Sequence, residues 1–482
     1  MTPNPADAAR LPSDQDTTLV VDLDGTLCRT DTLHEGLLRL VASRPSALFS
    51  LPRWLAEGRA GLKARLADQG VIEANELPLN QAVTETVRTA KEAGRRTALV
   101  SAADHRQVTA VAEATGLFDE AYGSAEGHNL KGTAKADFLN EHYGPGMFDY
   151  IGDSRADIPV WSAARRAITV SAGPGLRRAA EGANPHAHHI DPPEPRAKAV
   201  LKALRPHQWS KNMLLFLPML VGHDLTKLVP VLLGFVAFCL TASAVYVIND
   251  LIDLPADRAH PRKRNRPFAS GALNAVQGVA LAGGLLISAL ILCALTGSLA
   301  FVATLGIYFV ITFAYSLWLK RQLLVDVLTL AGLYTIRIVA GGAVAGIVLS
   351  PWLLGFSMFI FLTLAAVKRQ AELVDQANTG RASSGRAYEP EDLPVIRGIA
   401  LAASNAAILV LALYINSDDV QLLYSRPNLI WGVCPFLLYW LMYMIMKTHR
   451  GEMTDDPIVY AATNRTSLLT LLACALLGVA AI

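Results

Sequence analysis

The sequence lacks any block of lysine and arginine long enough to follow a nucleic-acid backbone, and its 482 residues carry a formal net charge of only +2. General attraction to nucleic acid is excluded on that basis, and the placement of charge matters more than its sum. Cysteine is scarce and dispersed: Cys28, Cys239, Cys293, Cys434 and Cys474 form no CxxC pair, and four of the five lie in apolar stretches. That spacing argues against a disulfide framework or a zinc site and leaves them as small core or lipid-facing residues. From Met1 to Thr18 there are prolines and acids but no basic cap followed by an apolar run. No cleavable secretion signal is expected, so the first domain is expected to stay in the cytosol.

What is present divides in two. Up to about Ala199 charges recur every few residues, as on a soluble surface, whereas beyond Asn212 long apolar runs are separated by short polar loops. A chain of this length with such a shift holds at least two units, the second of them in a bilayer. In the first part, Thr17 to Val21 is a β-branched run ending in DLDGT; Thr97 to Val100 ends at Ser101, and Phe148 to Ile151 ends at Gly152, Asp153 and Ser154. Helical patterns between them (Gln81 to Ala93, His105 to Thr115) predict a parallel sheet covered by helices on both faces, with its site at the carboxyl ends of the strands. The stretch 32–79 is too long for a simple crossover and has apolar residues at helical spacing, so a small helical cap is expected. Gly182 to Pro195, rich in Pro and His, reads as a linker, with His186, His188 and His189 as solvated residues rather than metal ligands.

Asp22 and Asp24, two residues apart in extended chain, point the same way and can meet one Mg²⁺ ion and one phosphate. Asp22 then serves as nucleophile, through an aspartyl-phosphate intermediate, and Asp24 as proton shuttle. Ser101 is suited to bonding a phosphoryl oxygen and Lys131 to screening its charge, with Lys135 as a rival, while Asp153 and Asp157 complete the metal shell. Two acids near a turn are most often a solvated turn, and a strand-end serine a turn former; the four elements in order make the case. DLDGT (Asp22 to Thr26), Ser101 after a strand, Lys131 in NLKG and GDSRAD (Gly152 to Asp157) together resemble haloacid dehalogenase-type phosphatases over nearly all of the first domain. Fold does not guarantee activity, so a regulatory domain is the alternative.

The second part offers about nine spans of bilayer length, near 209–224, 228–250, 272–296, 298–319, 325–347, 351–369, 396–416, 428–446 and 466–482. Basic residues gather in the loops after the second, fourth, sixth and eighth: Arg258, Arg262, Lys263, Arg264 and Arg266; Lys320 and Arg321; Lys368, Arg369, Arg381 and Arg386; Lys447 and Arg450. The positive-inside rule puts these loops, and the first domain, on the cytoplasmic side of the inner membrane.

At the end of the second span, Asn249, Asp250, Asp253 and Asp257 precede Arg258, Lys263 and Arg266. Helical spacing stacks the three aspartates on one face, where they repel unless a cation such as Mg²⁺ lies between them; the basic residues after them suit phosphate oxygens. A solvated helix end is the plainer reading, but acids clustered at a membrane boundary are costly without a function. Lys368, Glu372 and Asp375 share a helical face flanked by Arg369, expected to face the first set. Asp326 and Arg337 put charge inside an apolar segment, either pairing between helices or serving substrate; Lys211 and Lys320, at span ends, serve substrate or anchor at the interface.

Through NDLIDLPAD (Asn249 to Asp257), the span count and the second polar loop, the chain from Leu204 onward resembles the UbiA superfamily of membrane prenyltransferases. It departs from the aromatic prenyltransferase branch, which carries an acid-rich DxxxD pattern in the second loop, and offers KRQAEL at Lys368 to Leu373 instead. RPHQWSKN at Arg205 to Asn212, DRAHPRKRNRP at Asp257 to Pro267 and YSLWLKRQ at Tyr315 to Gln322 resemble the decaprenyl-phosphate phosphoribosyltransferase branch. That resemblance implies transfer of 5-phosphoribose from phosphoribosyl pyrophosphate to a polyprenyl phosphate. Asp250, Asp253 and Asp257 would hold Mg²⁺ on the leaving pyrophosphate, and Arg258, Lys263, Arg266, Lys368 and Arg369 would bind phosphates. The alternatives are a quinone-type aromatic prenyltransferase and a non-enzymatic transporter or scaffold with a sensing domain.

The expected fold is two-part. An α/β Rossmann-like haloacid dehalogenase domain spans 1–191, with a cap at about 32–79, and a linker follows at 192–203. An all-α polytopic UbiA-like domain of about nine transmembrane helices fills 204–482.

Overall fold

A run of four β-branched or apolar residues has no polar face to offer water, and β1 (Thr18–Val21) is accordingly buried at every position in the computed structural model. It pairs in parallel with β2 (Thr97–Asp104) on one side and β4 (Phe148–Gly152) on the other, with Val21 opposite both Leu99 and Ile151. With β3 (Glu120–Ser124), β5 (Arg166–Val170) and β6 (His188–Ile190) they form a six-stranded sheet of order β3-β2-β1-β4-β5-β6. The order reverses between β1 and β4, which is where a doubly wound sheet opens a crevice at its carboxyl edge.

The structure describes residues 14–43, 50, 53, 54, 66, 76–125, 129–191, 195–379, 386–453 and 456–482. The chain packs as two units, Met1–Leu204 with Tyr246–Ala282 and Arg205–Val245 with Gly283–Ile482.

In the first unit the pleat sends alternate side chains to opposite faces, and each face has its core. Leu19, Val21, Leu99 and Ile151 pack with Val83, Val87, Val108 and Val111 of the helices Gln81–Glu92 and His105–Thr115. Val20, Ala98, Val100 and Tyr150 pack with Leu139, Val160 and Trp161 on the other side. At the amino edge Asp149 is enclosed by two buried arginines: Arg95 Nη2 at 2.7 Å, and Arg165 through Nε at 2.8 Å and Nη2 at 2.6 Å.

Three local expectations change. The second strand runs past Ser101 to Asp104, its pairing with β3 shifting between Val100 and Asp104. The histidine stretch read as linker contains the edge strand β6, where His189 bonds the Thr169 hydroxyl at 2.7 Å and Glu181 at 3.1 Å. Arg196–Leu204, read as linker too, is a helix. Of the expected cap, α1 (Thr32–Ser43) is a helix, while most of 44–75 lies outside the described residues, as does Arg381.

Among the described residues seven helices are long and apolar enough to cross a membrane: Leu225–Ile252, Ala275–Thr296, Leu299–Leu317, Val325–Ala345, Pro351–Thr379, Pro390–Ile415 and Pro427–His449. Pro457–Thr463 and Arg465–Ala481, bent by 82°, make an eighth if they count as one span. The count of about nine is therefore approximate. Its first member, 209–224, is a 3₁₀ segment Pro206–Phe216 followed by the short helix Leu217–Val221. Pro206 and Pro218 each sit in the first turn of their segment, where a missing N–H is tolerated, and so divide the run. Ile287, Leu290, Val310, Leu409 and Leu469 are all more than half exposed, an outward display of apolar side chains that suits lipid.

Candidate active sites

Gly25 lets the turn after β1 approach the end of β4. Its φ is +78°, and a Cβ there would overlap the Asp153 carboxylate. The turn brings Asp22, Asp153 and Asp157 together, their oxygens all within 4.8 Å of one another. Among the described residues this is the one group of three such side chains close enough to share an ion. Lys135, 3% exposed, donates from Nζ to Asp22 Oδ1 at 3.0 Å and to the Tyr150 hydroxyl at 2.8 Å, and that hydroxyl donates to Asp157 Oδ1 at 3.0 Å. Asp157 is fixed further by the Ser154 backbone N–H at 3.0 Å and the Ser154 hydroxyl at 2.9 Å.

Burial, with the charges of Asp22 and Asp157, pushes the Asp153 carboxyl up to about 8. Burial raises Asp22 as well, opposed by Lys135. Three carboxylates crowded this closely are an oxygen-only donor set for a hard cation, and they fit Mg²⁺. Asp24 is not among them: its Oδ1 accepts the Thr32 backbone N–H at 2.8 Å, and burial followed by the charge of Asp31 lifts it to about 7. The place beside Asp22 that the sequence offered to Lys131 is filled by Lys135, because the helix Thr133–Tyr143 turns residue 135 inward while Lys131, on the preceding loop, is exposed at the rim. Ser101 is buried at the strand end and accepts the Ala103 N–H at 3.3 Å. Ser101, Lys131 and the four aspartates line one cavity of about 410 Å³.

The same cavity is walled by Gly271, Ala272, Asn274, Val276 and Gln277, from the segment that joins the first unit after the second apolar run. In that segment the helix Leu228–Ile252 gives way at Asp253 to the short helix Leu254–Ala259, Pro255 taking its first turn. Asp250 and Asp257 are buried and share one guanidinium, Arg266 Nη1, at 3.2 and 2.6 Å. The three stacked carboxylates expected there do not close on a common point as Asp22, Asp153 and Asp157 do. The break at Asp253 interrupts the single face, and Arg266 supplies the positive charge. Asn249 Oδ1 is buried with no hydrogen-bond partner, so the donor set of Asn249, Asp250, Asp253 and Asp257 is all oxygen with one acceptor unmet, which also fits Mg²⁺.

Arg258, expected at a phosphate, is instead taken up entirely by protein. It pairs with Glu35 and donates to the carbonyls of Glu76 at 3.0 Å and Ala269 at 3.1 Å. Lys263 opens the short 3₁₀ turn Lys263–Asn265.

Within the second unit, Asp326 does not meet Arg337. Asp326, wholly buried, pairs with Arg369 at 2.5 Å and accepts the Tyr315 hydroxyl at 2.7 Å. Arg369 also pairs with Glu372, which Arg386 reaches in turn, and its guanidinium lies over the Tyr388 ring at 5.1 Å. Arg337 donates to Asn212 Oδ1 at 2.9 Å and lies over Phe238, Tyr308 and Tyr334 at 5.4, 5.1 and 5.5 Å. Lys211 and Lys368, from separate segments, both donate to Asp456 Oδ2, at 2.6 and 3.1 Å. Lys320 sits in the turn Leu319–Arg321. Sequence reasoning did not single out Asp456, Glu35 or Tyr150. Only Asp456 had a local signal, an acid directly before Pro457 at a helix start.

Fold and sites together define a multi-pass membrane enzyme with two acidic centres suited to phosphorylated substrates. A model of the UbiA prenyltransferase family matches residues 213–469, and one of haloacid dehalogenase-like hydrolases matches residues 19–162. The chain is 37% identical over 456 residues to an uncharacterized protein, y4nM, of Sinorhizobium fredii, covering 93% of this chain and 88% of that one. It is 36% identical to the nodulation protein NoeC of Azorhizobium caulinodans, over 57% of this chain and 90% of that one. It is 33% identical to a decaprenyl-phosphate phosphoribosyltransferase of Mycobacterium tuberculosis, over 58% of this chain and 93% of that one. The chain belongs to the UbiA prenyltransferase family and carries a haloacid dehalogenase-like hydrolase domain ahead of the membrane part.

Proposed function

We propose that the protein transfers 5-phosphoribose from phosphoribosyl pyrophosphate to a polyprenyl phosphate of the decaprenyl type, and that its first domain removes the 5-phosphate from the lipid-linked product. One observation carries the first half: relatives named decaprenyl-phosphate phosphoribosyltransferase align over more than half of the chain at about a third identity. The second half rests on the Asp22, Lys135, Asp153 and Asp157 cluster.

In the transfer, an oxygen of the lipid phosphate attacks the anomeric carbon of the ribose as the bond to pyrophosphate breaks. Asn249, Asp250, Asp253 and Asp257 would hold Mg²⁺, which supplies charge neutralisation for the departing pyrophosphate. Arg266, already between Asp250 and Asp257, is the guanidinium nearest to hand for the phosphate oxygens. Lys263 lies three residues before it, and Lys211, Arg337, Lys320, Lys368, Arg369 and Glu372 stand as further candidates for substrate binding.

In the hydrolysis, Asp22 attacks phosphorus while the sugar oxygen leaves. Asp24, whose carboxyl is lifted to about 7, has its protonated form populated near neutral pH and gives that proton to the leaving oxygen. Water then opens the aspartyl phosphate, its proton returning to Asp24. Asp22, Asp153 and Asp157 would hold Mg²⁺, which offsets the charge of the incoming phosphate; Lys135 opposes the burial that raises Asp22, and Ser101 and Lys131 bond phosphoryl oxygens. The basic loops that the positive-inside rule assigns to the cytoplasm support putting both reactions on that side.

The test is incubation with Mg²⁺, a polyprenyl phosphate and ribose-labelled phosphoribosyl pyrophosphate, with labelled lipids identified by mass. Lipid-linked ribose from the wild type and lipid-linked phosphoribose from Asp22→Asn is the expected pair. No label in lipid from either protein overturns the transfer assignment, and lipid-linked phosphoribose from both overturns the hydrolysis.

A further inference from the structure

The hydrolase cavity is lined by more positive charge than one phosphate requires. Lys135 is committed to Asp22 and Tyr150. Arg29, Lys131 and Arg196 line the cavity as well, and among the described residues none of the three pairs with a carboxylate. Arg29 is the informative one. It is half-buried, its Nη1 reaches the Ser270 carbonyl at 3.4 Å, and its Nε is shielded from solvent with no partner. A buried guanidinium donor left unmet is costly unless an anion completes it. Gly271 packs directly on this side chain: its φ is +71°, and a Cβ there would lie 2.6 Å from Arg29 Cβ.

Two further members of the wall favour the same sign. Asn274 Oδ1 accepts the Gln277 N–H at 2.9 Å and Gln277 Oε1 accepts the Asn274 N–H at 3.0 Å. This reciprocal cap consumes both side-chain acceptors and leaves the two amide NH₂ groups as donors at the cavity. Amide donors whose own oxygens are engaged, beside arginines with no carboxylate partner among the described residues, describe a place for an anion at this part of the wall.

We propose that Arg29, Arg196 and the amide groups of Asn274 and Gln277 form a second anion subsite in the hydrolase cavity, taking the phosphodiester of a substrate whose terminal phosphomonoester meets Asp22. The substrate class is a sugar phosphate carrying a phosphodiester on the same sugar, as a lipid-phosphoryl ribose 5-phosphate does. The subsite rests on the hydrolase reading above and adds its specificity. It also gives the segment Gly271 to Gln277 a part in the hydrolase, so that the first domain alone is an incomplete enzyme.

Two water-soluble probes separate the subsite from the catalytic centre: methyl ribofuranoside 5-phosphate, with the monoester only, and 1-(methylphosphoryl)ribose 5-phosphate, with both groups. Binding of each to full-length Asp22→Asn protein is measured by calorimetry, and turnover of each by the wild type. The doubly charged probe is expected to bind about tenfold tighter, the worth of one charge-assisted hydrogen bond, and the preference is expected to vanish when Arg29→Gln and Arg196→Gln are added. In the wild type the ratio of kcat/KM for the two probes follows the same pattern. Equal binding of the two probes, or a preference that survives both substitutions, overturns the subsite even if both are hydrolysed. A preference in binding with no turnover of either probe leaves the subsite standing and overturns the hydrolase assignment.

Discussion

Arg258 and Glu35, 223 residues apart in sequence, meet in a two-point ion pair, Nη2 to Oε1 at 2.6 Å and Nη1 to Oε2 at 2.7 Å. Arg258 directly follows Asp257 of the membrane carboxylate motif. Glu35 lies in the first turn of α1 and also accepts the Thr30 hydroxyl, and the first N–H of the same helix is held by Asp24. The pair therefore ties the two acidic centres of the first unit to one turn of helix. Arg258→Ala leaves Glu35 buried and unpaired, which costs about 3–5 kcal/mol, whereas removing both charges is far less damaging. Arg258→Ala is expected to lower the hydrolase kcat about tenfold or more and to lower the thermal midpoint, with Glu35→Leu/Arg258→Met recovering most of both. A four-protein cycle of kcat and Tm checks it; additive losses would show that the pair does not act as a unit.

Lys135→Met and Lys131→Met should separate cleanly. Lys135 bonds the nucleophile and is enclosed, so its loss removes the charge that opposes the effect of burial on Asp22; hydrolysis is expected to fall about 10²-fold, mainly in kcat. Lys131 stands exposed at the cavity rim, and its loss is expected to raise KM by less than about tenfold. Steady-state kinetics on a soluble phosphomonoester distinguishes them, and the reverse order of severity would return the catalytic role to Lys131.

The parallel sheet and the long apolar helices were legible because each rests on local pattern. Thr18–Val21 is too apolar for anything but an interior strand, and runs such as Ala275–Thr296 have the length a bilayer sets. The hydrolase aspartates were legible too, since they lie just beyond the ends of β1 and β4 and the sheet itself brings those ends together. Partner choice was not. That Arg258 would choose Glu35, or Lys211 and Lys368 would converge on Asp456, depends on contacts across 223, 245 and 88 residues that no spacing rule encodes. The run 209–224 misled for the opposite reason: its composition is that of a span, but Pro206 and Pro218 divide the backbone.

The amino edge of the sheet offers a test of stability separate from chemistry. Asp149 is almost wholly buried, with Arg95 and Arg165 both bonded to it. Among the described residues Asp149→Ala leaves the two guanidinium groups with only Asp14, 2.6 Å from Arg165 Nη2 at the surface, as counter-charge, and a loss of about 3 kcal/mol is expected. Thermal unfolding followed in the first domain should show a fall of several degrees, while the proposed transfer of phosphoribose to lipid, assigned to the carboxylate motif elsewhere, is expected to persist at temperatures where the domain remains folded. A change below about 1 kcal/mol would mean that water or nearby acids take over the role of Asp149.

Removal and return of magnesium should act on Asp153 with opposite signs. Asp22, Asp153 and Asp157 crowd their oxygens within 4.8 Å, and without a cation their mutual repulsion and burial work against the fold. An ion that binds only the folded state adds stability by mass action, about 2.7 kcal/mol at a hundred times its dissociation constant. Protein stripped with chelator is thus expected to gain several degrees in Tm on adding Mg²⁺. Asp153→Asn removes a carboxyl that burial and the charges of Asp22 and Asp157 hold against ionisation, so the stripped variant should be more stable than the stripped wild type, yet it also loses a ligand and should gain little from Mg²⁺. Calorimetry of the two proteins with and without the ion measures both effects. If Asp153→Asn responds to Mg²⁺ as the wild type does, the ion is held elsewhere, and the three carboxylates are not its site.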